Sequence, residues 1–332
     1  MLNTVGHSKR TRVLVIYSKF AQFLEGSEMS FTRVHHIGLV TEDLETARHV
    51  LCDGFGLSVD EHRTPWPQGK RRDYDGATVV EFPIGEMYYE VACPGNAESD
   101  AAIFLAGTKG RGGMHYIAIA SDDMSADLQR LTDHGIKLTS SWDGQGPVFL
   151  DPTTSLGLSI QIIREDQYYV HPYYRGNGVL TGMAHIGIAA RSVDEIRQFL
   201  GDTFGLKEDL STERKLEPND SGAADDPVHL VEFPLGGTVL EISVPTTDES
   251  GTARLVAQRA QLGAVYHHTC PFAPDVQQFI AQAVSAGLQQ IGTVPPREER
   301  TRVVGWLHPR SCLGMLIEIW NRPPGTGHHH HL

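Results

Sequence analysis

The chain repeats itself, and the repeat limits its fold more than any other feature. His36-Ile37-Gly38-Leu39-Val40 returns 149 residues on as His185-Ile186-Gly187-Ile188-Ala189, and Phe55-Gly56-Leu57 returns at the same offset as Phe204-Gly205-Leu206. Val80-Glu81-Phe82-Pro83-Ile84-Gly85 returns as Val231-Glu232-Phe233-Pro234-Leu235-Gly236, 151 residues on. Asp151-Pro152, with Gln161 ten residues after Asp151, matches His308-Pro309, with Glu318 ten after His308. Words recurring in one order with a slowly drifting offset imply two duplicated halves.

A finer repeat lies inside each half. His36, His115 and His268 are followed seven residues later by Asp43, Asp122 and Asp275. Helical stretches follow at Leu44 to Val50, Met124 to His134, Val193 to Leu200 and Val276 to Ala286, with Gly135 and Gly287 where a C-cap belongs. Then come β-rich runs: Thr78 to Phe82, Met87 to Ala92, Val148 to Leu150, Leu158 to Ile163, His229 to Phe233, Thr238 to Val244, Arg302 to Leu307 and Met315 to Trp320. The order predicts an α+β fold of four βαβββ modules paired into two domains, 31–165 and 182–322. Residues 1–30 read as an extension, with Met29 as an alternative start. Residues 166–181 read as an ordered crossover rich in tyrosine (Tyr168, Tyr169, Tyr173, Tyr174), and 323–332 as a flexible, histidine-bearing tail.

The 332 residues are 40% hydrophobic and 21% charged, a globular composition, and either half is long enough to bury its own core. A net charge of -13 repels phosphate backbones, which argues against nucleic acid as a partner. No apolar run approaches the ~20 residues that span a bilayer, so no membrane is expected. Cys52, Cys93, Cys270 and Cys312 show no CxxC spacing and read as reduced thiols of a cytoplasmic protein.

Each module begins with a histidine on its first strand: His36, His115, His185 and His268. Modules one, three and four end on a strand carrying a carboxylate in an apolar run, Glu90, Glu241 and Glu318, and module two has Gln161 there. A charge among aliphatic neighbours costs several kcal/mol unless paired or metal-bound. A lone strand histidine is usually a core residue; the set recurring in register is what points to a divalent metal. His35 and His267 precede two of these histidines and face the other way.

On these words the sequence resembles the vicinal oxygen chelate superfamily, which includes glyoxalase I, methylmalonyl-CoA epimerase, extradiol dioxygenases and antibiotic-resistance binders. The resemblance covers nearly all of Phe31 to Asn321. It implies two glyoxalase-like domains whose first and last module strands supply metal ligands. Carried over, the second half offers a full set, His185, Glu241, His268 and Glu318. The first half offers a second, weaker site, His36, Glu90, His115 and Gln161. The segment His308-Pro309-Arg310 leading into Glu318 is most similar to the epimerase branch.

Three functions follow from that resemblance. In the first, a Co, Ni, Mn, Zn or Fe ion chelates two substrate oxygens, and a carboxylate removes a proton beside the carbonyl. Glu318 and Glu241 are the candidate bases, with Glu213 or Glu217 as replacements. An acyl-CoA substrate wants cations, for which Lys70, Arg71, Arg72, Arg297, Arg300, Arg302 and Arg310 are candidates. In the second, His185, His268 and Glu318 form the iron triad of an extradiol-type dioxygenase. In the third, the protein binds a small molecule without turnover, lined by Trp66, Tyr88, Tyr89 and Trp306. Monomer and homodimer both suit a chain carrying two domains.

Overall fold

The computed structural model describes residues 30–165, 170–174, 178–215, 226–294, 296 and 303–321. Nearly all of the N-terminal extension, Tyr168 and Tyr169 of the crossover, Glu217, Arg297, Arg300, Arg302 and the C-terminal tail lie outside the described residues.

The first half forms a seven-stranded sheet from β1 (Phe31–Val40), β2 (Lys70–Arg71), β3 (Thr78–Ile84), β4 (Met87–Cys93), β5 (Gly113–Ser121), β6 (Val148–Phe149) and β7 (Ile160–Arg164), in the order β2-β3-β4-β1-β5-β7-β6. The second half forms an eight-stranded sheet from β8 (Gly182–Ala190), β9 (Arg214–Lys215), β10 (Val228–Leu235), β11 (Thr238–Pro245), β12 (Ala264–Phe272), β13 (Gln290–Ile291), β14 (Val304–Leu307) and β15 (Leu316–Trp320). Its order is β13-β14-β15-β12-β8-β11-β10-β9. In each sheet the first strands of two modules pair antiparallel at the centre, β1 with β5 and β8 with β12. Each is flanked by its own module's last strand in parallel. The α+β architecture of paired modules is the expected one.

Caps start the helices. Asp43 accepts from the backbone of Glu45 and Thr46 to open α1 (Leu44–Arg48), and Ser99 opens α2 (Asp100–Gly107). Asp123 opens α3 (Met124–Asp133), Ser192 opens α4 (Val193–Ile196), Ser250 opens α5 (Gly251–Arg259) and Asp275 opens α6 (Val276–Ser285). Helices α1 and α4 continue into π-helical turns over His49–Gly54 and Arg197–Thr203, so the repeat extends to an irregular backbone. Two helices, α2 and α5, precede β5 and β12 as additional elements of the repeat. Gly85 and Gly236, with φ of 60° and 63°, close the β3–β4 and β10–β11 hairpins.

The halves do not bury separate cores. One continuous apolar cluster runs from Val34 to Ile319 through both sheets and the helices. Phe31 stacks on Phe204 at 5.2 Å, Phe55 meets Phe279 edge-on at 5.6 Å, and Tyr89 Oη lies 3.0 Å from Thr269 Oγ1. The apolar face of each sheet turns toward the other half, which leaves the opposite face of each sheet for polar side chains.

Candidate metal centre

Four polar side chains meet on the second sheet. His185 comes from β8, Glu241 from β11, His268 from β12 and Glu318 from β15, and all four are buried. Register brings them together. Glu241 and His268 both pair with Gly187, two residues along β8 from His185. A Cβ on Gly187 would lie 2.1 Å from the His268 ring, so only glycine leaves room for that imidazole.

The ligand atoms lie within 4.8 Å of one another. His185 Nε2 is 2.9 Å from His268 Nε2 and 3.1 Å from Glu318 Oε2, and His268 Nε2 is 3.2 Å from Glu318 Oε2. Glu241 Oε1 stands 3.7 Å and 3.8 Å from the two imidazole nitrogens. Ligand bonds of about 2.1 Å give edges of about 3.0 Å at right angles and about 3.4 Å in a tetrahedron. Hydrogen bonding alone satisfies the group poorly. If both Nε2 atoms donate to Glu318, two N–H groups face each other across 2.9 Å. A divalent cation at the centre meets four lone pairs, so the residues fit one.

Electrostatics agree with that fit. Burial opposes the charged form of His185, but Cys270, Glu241 and Glu318 outweigh it and raise the imidazole well above its ordinary range. Burial would raise Glu318, yet hydrogen bonds from His185 and His268 hold it well below the usual carboxylate range. Among the described residues Glu318 pairs with no lysine or arginine. The carboxylates therefore draw positive charge into the cluster.

The first sheet differs. His36 and Glu90 hold the same register positions as His185 and Glu241, and Gln161 holds that of Glu318, buried opposite Ala118. His115 does not join them. It is the extra residue of a bulge in β5, between Met114 opposite Leu39 and Tyr116 opposite Gly38, and its ring packs 4.7 Å from Phe104. His267 is the matching extra residue of β12. The counterpart of His268 is Tyr116, whose ring lies 2.0 Å from where a Gly38 Cβ would stand. Tyr116 donates to Glu90 Oε1 at 2.6 Å and its oxygen sits 3.1 Å from His36 Nε2. Arg72 enters the same cup, donating from Nη1 to Glu90 Oε1 at 2.6 Å and to the Tyr116 oxygen at 3.2 Å, and pairing with Asp75.

Other expected residues fall elsewhere. Arg72 is buried in an ion pair rather than free for an acyl-CoA phosphate, while Lys70, Arg71 and Arg310 are exposed. Glu213 lies in an exposed network, 2.8 Å from His229 and 3.0 Å from Arg197. Tyr89 belongs to the core and Trp66 packs against it, whereas Trp306 and Tyr88 stand on the cup faces opposite Glu318 and beside His36. Tyr116 and Arg72 were missed as partners in the first cup. The signal for Tyr116 is the true helix cap, Asp123, seven residues beyond it, as Asp275 lies seven beyond His268.

Residues 35–148 match the sequence profile of the glyoxalase/bleomycin resistance protein/dioxygenase superfamily. Over these residues the chain is similar to this superfamily, also called vicinal oxygen chelate. Mitochondrial methylmalonyl-CoA epimerase of Bos taurus is 27% identical over 142 residues, 41% of this chain and 77% of that protein. The human epimerase is 28% identical over 142 residues, 41% of this chain and 76% of its own length. A mutant of 4-hydroxymandelate synthase from Streptomyces coelicolor shares the fold across 90% of this chain and 95% of its own, with a TM-score of 0.63 and 13% identity. Both sequence relatives are named as epimerases, and the synthase shows a likeness of fold alone. Among the described residues no helix is long and apolar enough to cross a membrane.

Proposed function

We propose that this chain is a divalent-metal-dependent isomerase or lyase that removes a proton beside a carbonyl, acting on an acyl thioester of the methylmalonyl-CoA kind. The convergence of His185, Glu241, His268 and Glu318 carries this reading, and the 27–28% identity to methylmalonyl-CoA epimerases favours the substrate class. A divalent ion held by these residues would supply a Lewis acid for the substrate's carbonyl oxygens.

The chain's own residues do the rest. The two imidazoles and two carboxylates would hold the ion from four strands of one sheet, a rigid frame. Glu241 and Glu318, carboxylates from two different strands that each offer one oxygen to the cluster, are the bases we assign to the two faces of the reacting carbon. Trp306 packs 5.6 Å from His268 and helps exclude water from that side. Lys70, Arg71 and Arg310 remain as exposed cations for the phosphates of a coenzyme A carrier.

The test is deuterium wash-in. Cobalt-loaded protein is incubated with methylmalonyl-CoA in heavy water, and loss of the C2 proton is followed. Exchange above the uncatalysed rate supports the reading; a fully metal-loaded protein that exchanges nothing sinks it.

A second reading has its own observation. His185, His268 and Glu318 form a triangle with edges of 2.9–3.2 Å, and Glu241 stands farther out at 3.7–3.8 Å. Three tight ligands with a loose fourth suit a non-haem iron dioxygenase. Oxygen uptake by the iron-loaded chain with a catechol would favour it. A binding protein without turnover has little use for so complete a ligand set.

A further inference from the structure

We infer that the first cup carries its cation as part of the chain: Arg72 stands in for the ion, and Arg72 with Tyr116 closes this cup to metal. The inference rests on reading the second cup as a metal centre.

Three of the four ligand positions survive in the first cup as ligand-type residues, His36, Glu90 and Gln161, in matching register. What has changed is the fourth position and the charge. Tyr116 replaces an imidazole with a phenol whose acidity burial suppresses, so it enters as a neutral O–H donor. Its single proton goes to Glu90, and its oxygen accepts from Arg72 and His36. Arg72 is only 8% exposed, and its guanidinium bridges Glu90 and Asp75. A guanidinium keeps its charge at every pH a protein survives, so it neutralises Glu90 permanently. A divalent ion entering this cup would meet that fixed positive charge and lose a ligand already committed to it.

The second half lacks this device by sequence. Lys70 pairs with Val79, and Arg214 pairs with Leu230, the residue 151 places after Val79. Counted on in sequence from those pairs, Arg72 aligns with Leu216, which lies outside the described residues. A second guanidinium follows the same rule. Asp60 N–H donates to the Glu81 carbonyl as Asp209 N–H does to Glu232, which sets Arg63 against Thr212. Arg63 pairs with Glu81 at 2.5 Å. In sequence, the guanidiniums of Arg72 and Arg63 thus align with neutral residues of the second half, where a metal ion would supply the charge.

The experiment counts cobalt. Dialysed full-length protein is titrated with Co(II), and bound metal is measured by elemental analysis and visible absorption. The wild type should hold one ion per chain, and His185→Ala/His268→Ala none. In that background Arg72→Leu/Tyr116→His should restore one ion and make the melting temperature rise on cobalt addition. Adding Gln161→Glu should tighten the restored site. A wild type holding two ions overturns this inference alone and leaves the second cup as read. So does a second-cup variant that still holds one, or a folded four-residue variant that gains none. A wild type holding no ion sinks the reading of the second cup instead. Should the reverted cup fold only with cobalt present, the metal-dependent melting transition is itself the expected gain.

Discussion

Trp306 lies directly across the β14–β15 pair from Glu318, and Phe149 takes the same place opposite Gln161 on the first sheet. Phe149 packs on Tyr116 at 5.0 Å as Trp306 packs on His268 at 5.6 Å. The position therefore accepts a phenyl ring. The buried Trp306 Nε1 has no hydrogen-bond partner among the described residues, and an unmade bond of this kind costs roughly 1–3 kcal/mol. Trp306→Phe removes that cost while giving up some packing. Unfolding in urea should show a net change within about 1 kcal/mol. Cobalt should quench less fluorescence in the variant, with Trp320, 5.2 Å from His185, still reporting.

Gly38 and Gly187 make a matched pair of tests. An alanine Cβ would stand 2.0 Å from the Tyr116 ring at Gly38 and 2.1 Å from the His268 ring at Gly187. Either substitution should cost about 1–3 kcal/mol through overpacking. Only Gly187→Ala should weaken cobalt binding, by about tenfold or more, because it displaces a ligand. Calorimetric titration of both variants separates the two cups; equal affinities would place the metal elsewhere.

Much of this was legible in the sequence, for a physical reason. The repeated words fix strand order, and register follows from the caps and the hairpin glycines, so His36, His185, His268 and the strand carboxylates could be aligned. The alignment slipped at His115 because alternation was counted through a bulge, where one extra residue reverses which side chain faces the cup. Arg72 was read as a surface cation because a run of three basic residues carries no mark of burial. Its fate is set by the buried Glu90 and the half-buried Asp75, one contact distant in sequence and one close by, and only the fold joins them. The shared core was likewise hidden, since periodicity gives an apolar face but not the surface that covers it.

Glu81 gives the first half its own pH dependence. Burial pushes its carboxyl up to about 7, against the pull of Arg63. Its unfolded value is about 4.3. Between these limits the folded chain holds a proton that the unfolded chain releases, so stability falls as pH rises from about 4.5 to about 7. Metal-free wild type and Glu81→Gln are compared by thermal unfolding across that window. The wild type should lose ground relative to the variant as pH rises; parallel curves would mean that Arg63 keeps Glu81 ionised throughout.

Glu318 separates catalysis from fold. Its Oε2 lies 3.1 Å and 3.2 Å from two imidazole nitrogens, so the isosteric Glu318→Gln keeps the packing and removes both a charged ligand and a base. Loss of a general base alone costs about 10²–10⁴ in rate, and the weakened ligand adds to it. Turnover in the deuterium assay should therefore fall by at least about a thousandfold. Saturating cobalt should recover metal occupancy without recovering turnover. Glu241→Gln provides the comparison: if each carboxylate serves one face of the carbon, each variant should still exchange slowly from the face served by the other and fail to interconvert the two configurations. A Glu318→Gln protein that stays fully active would remove Glu318 from the site.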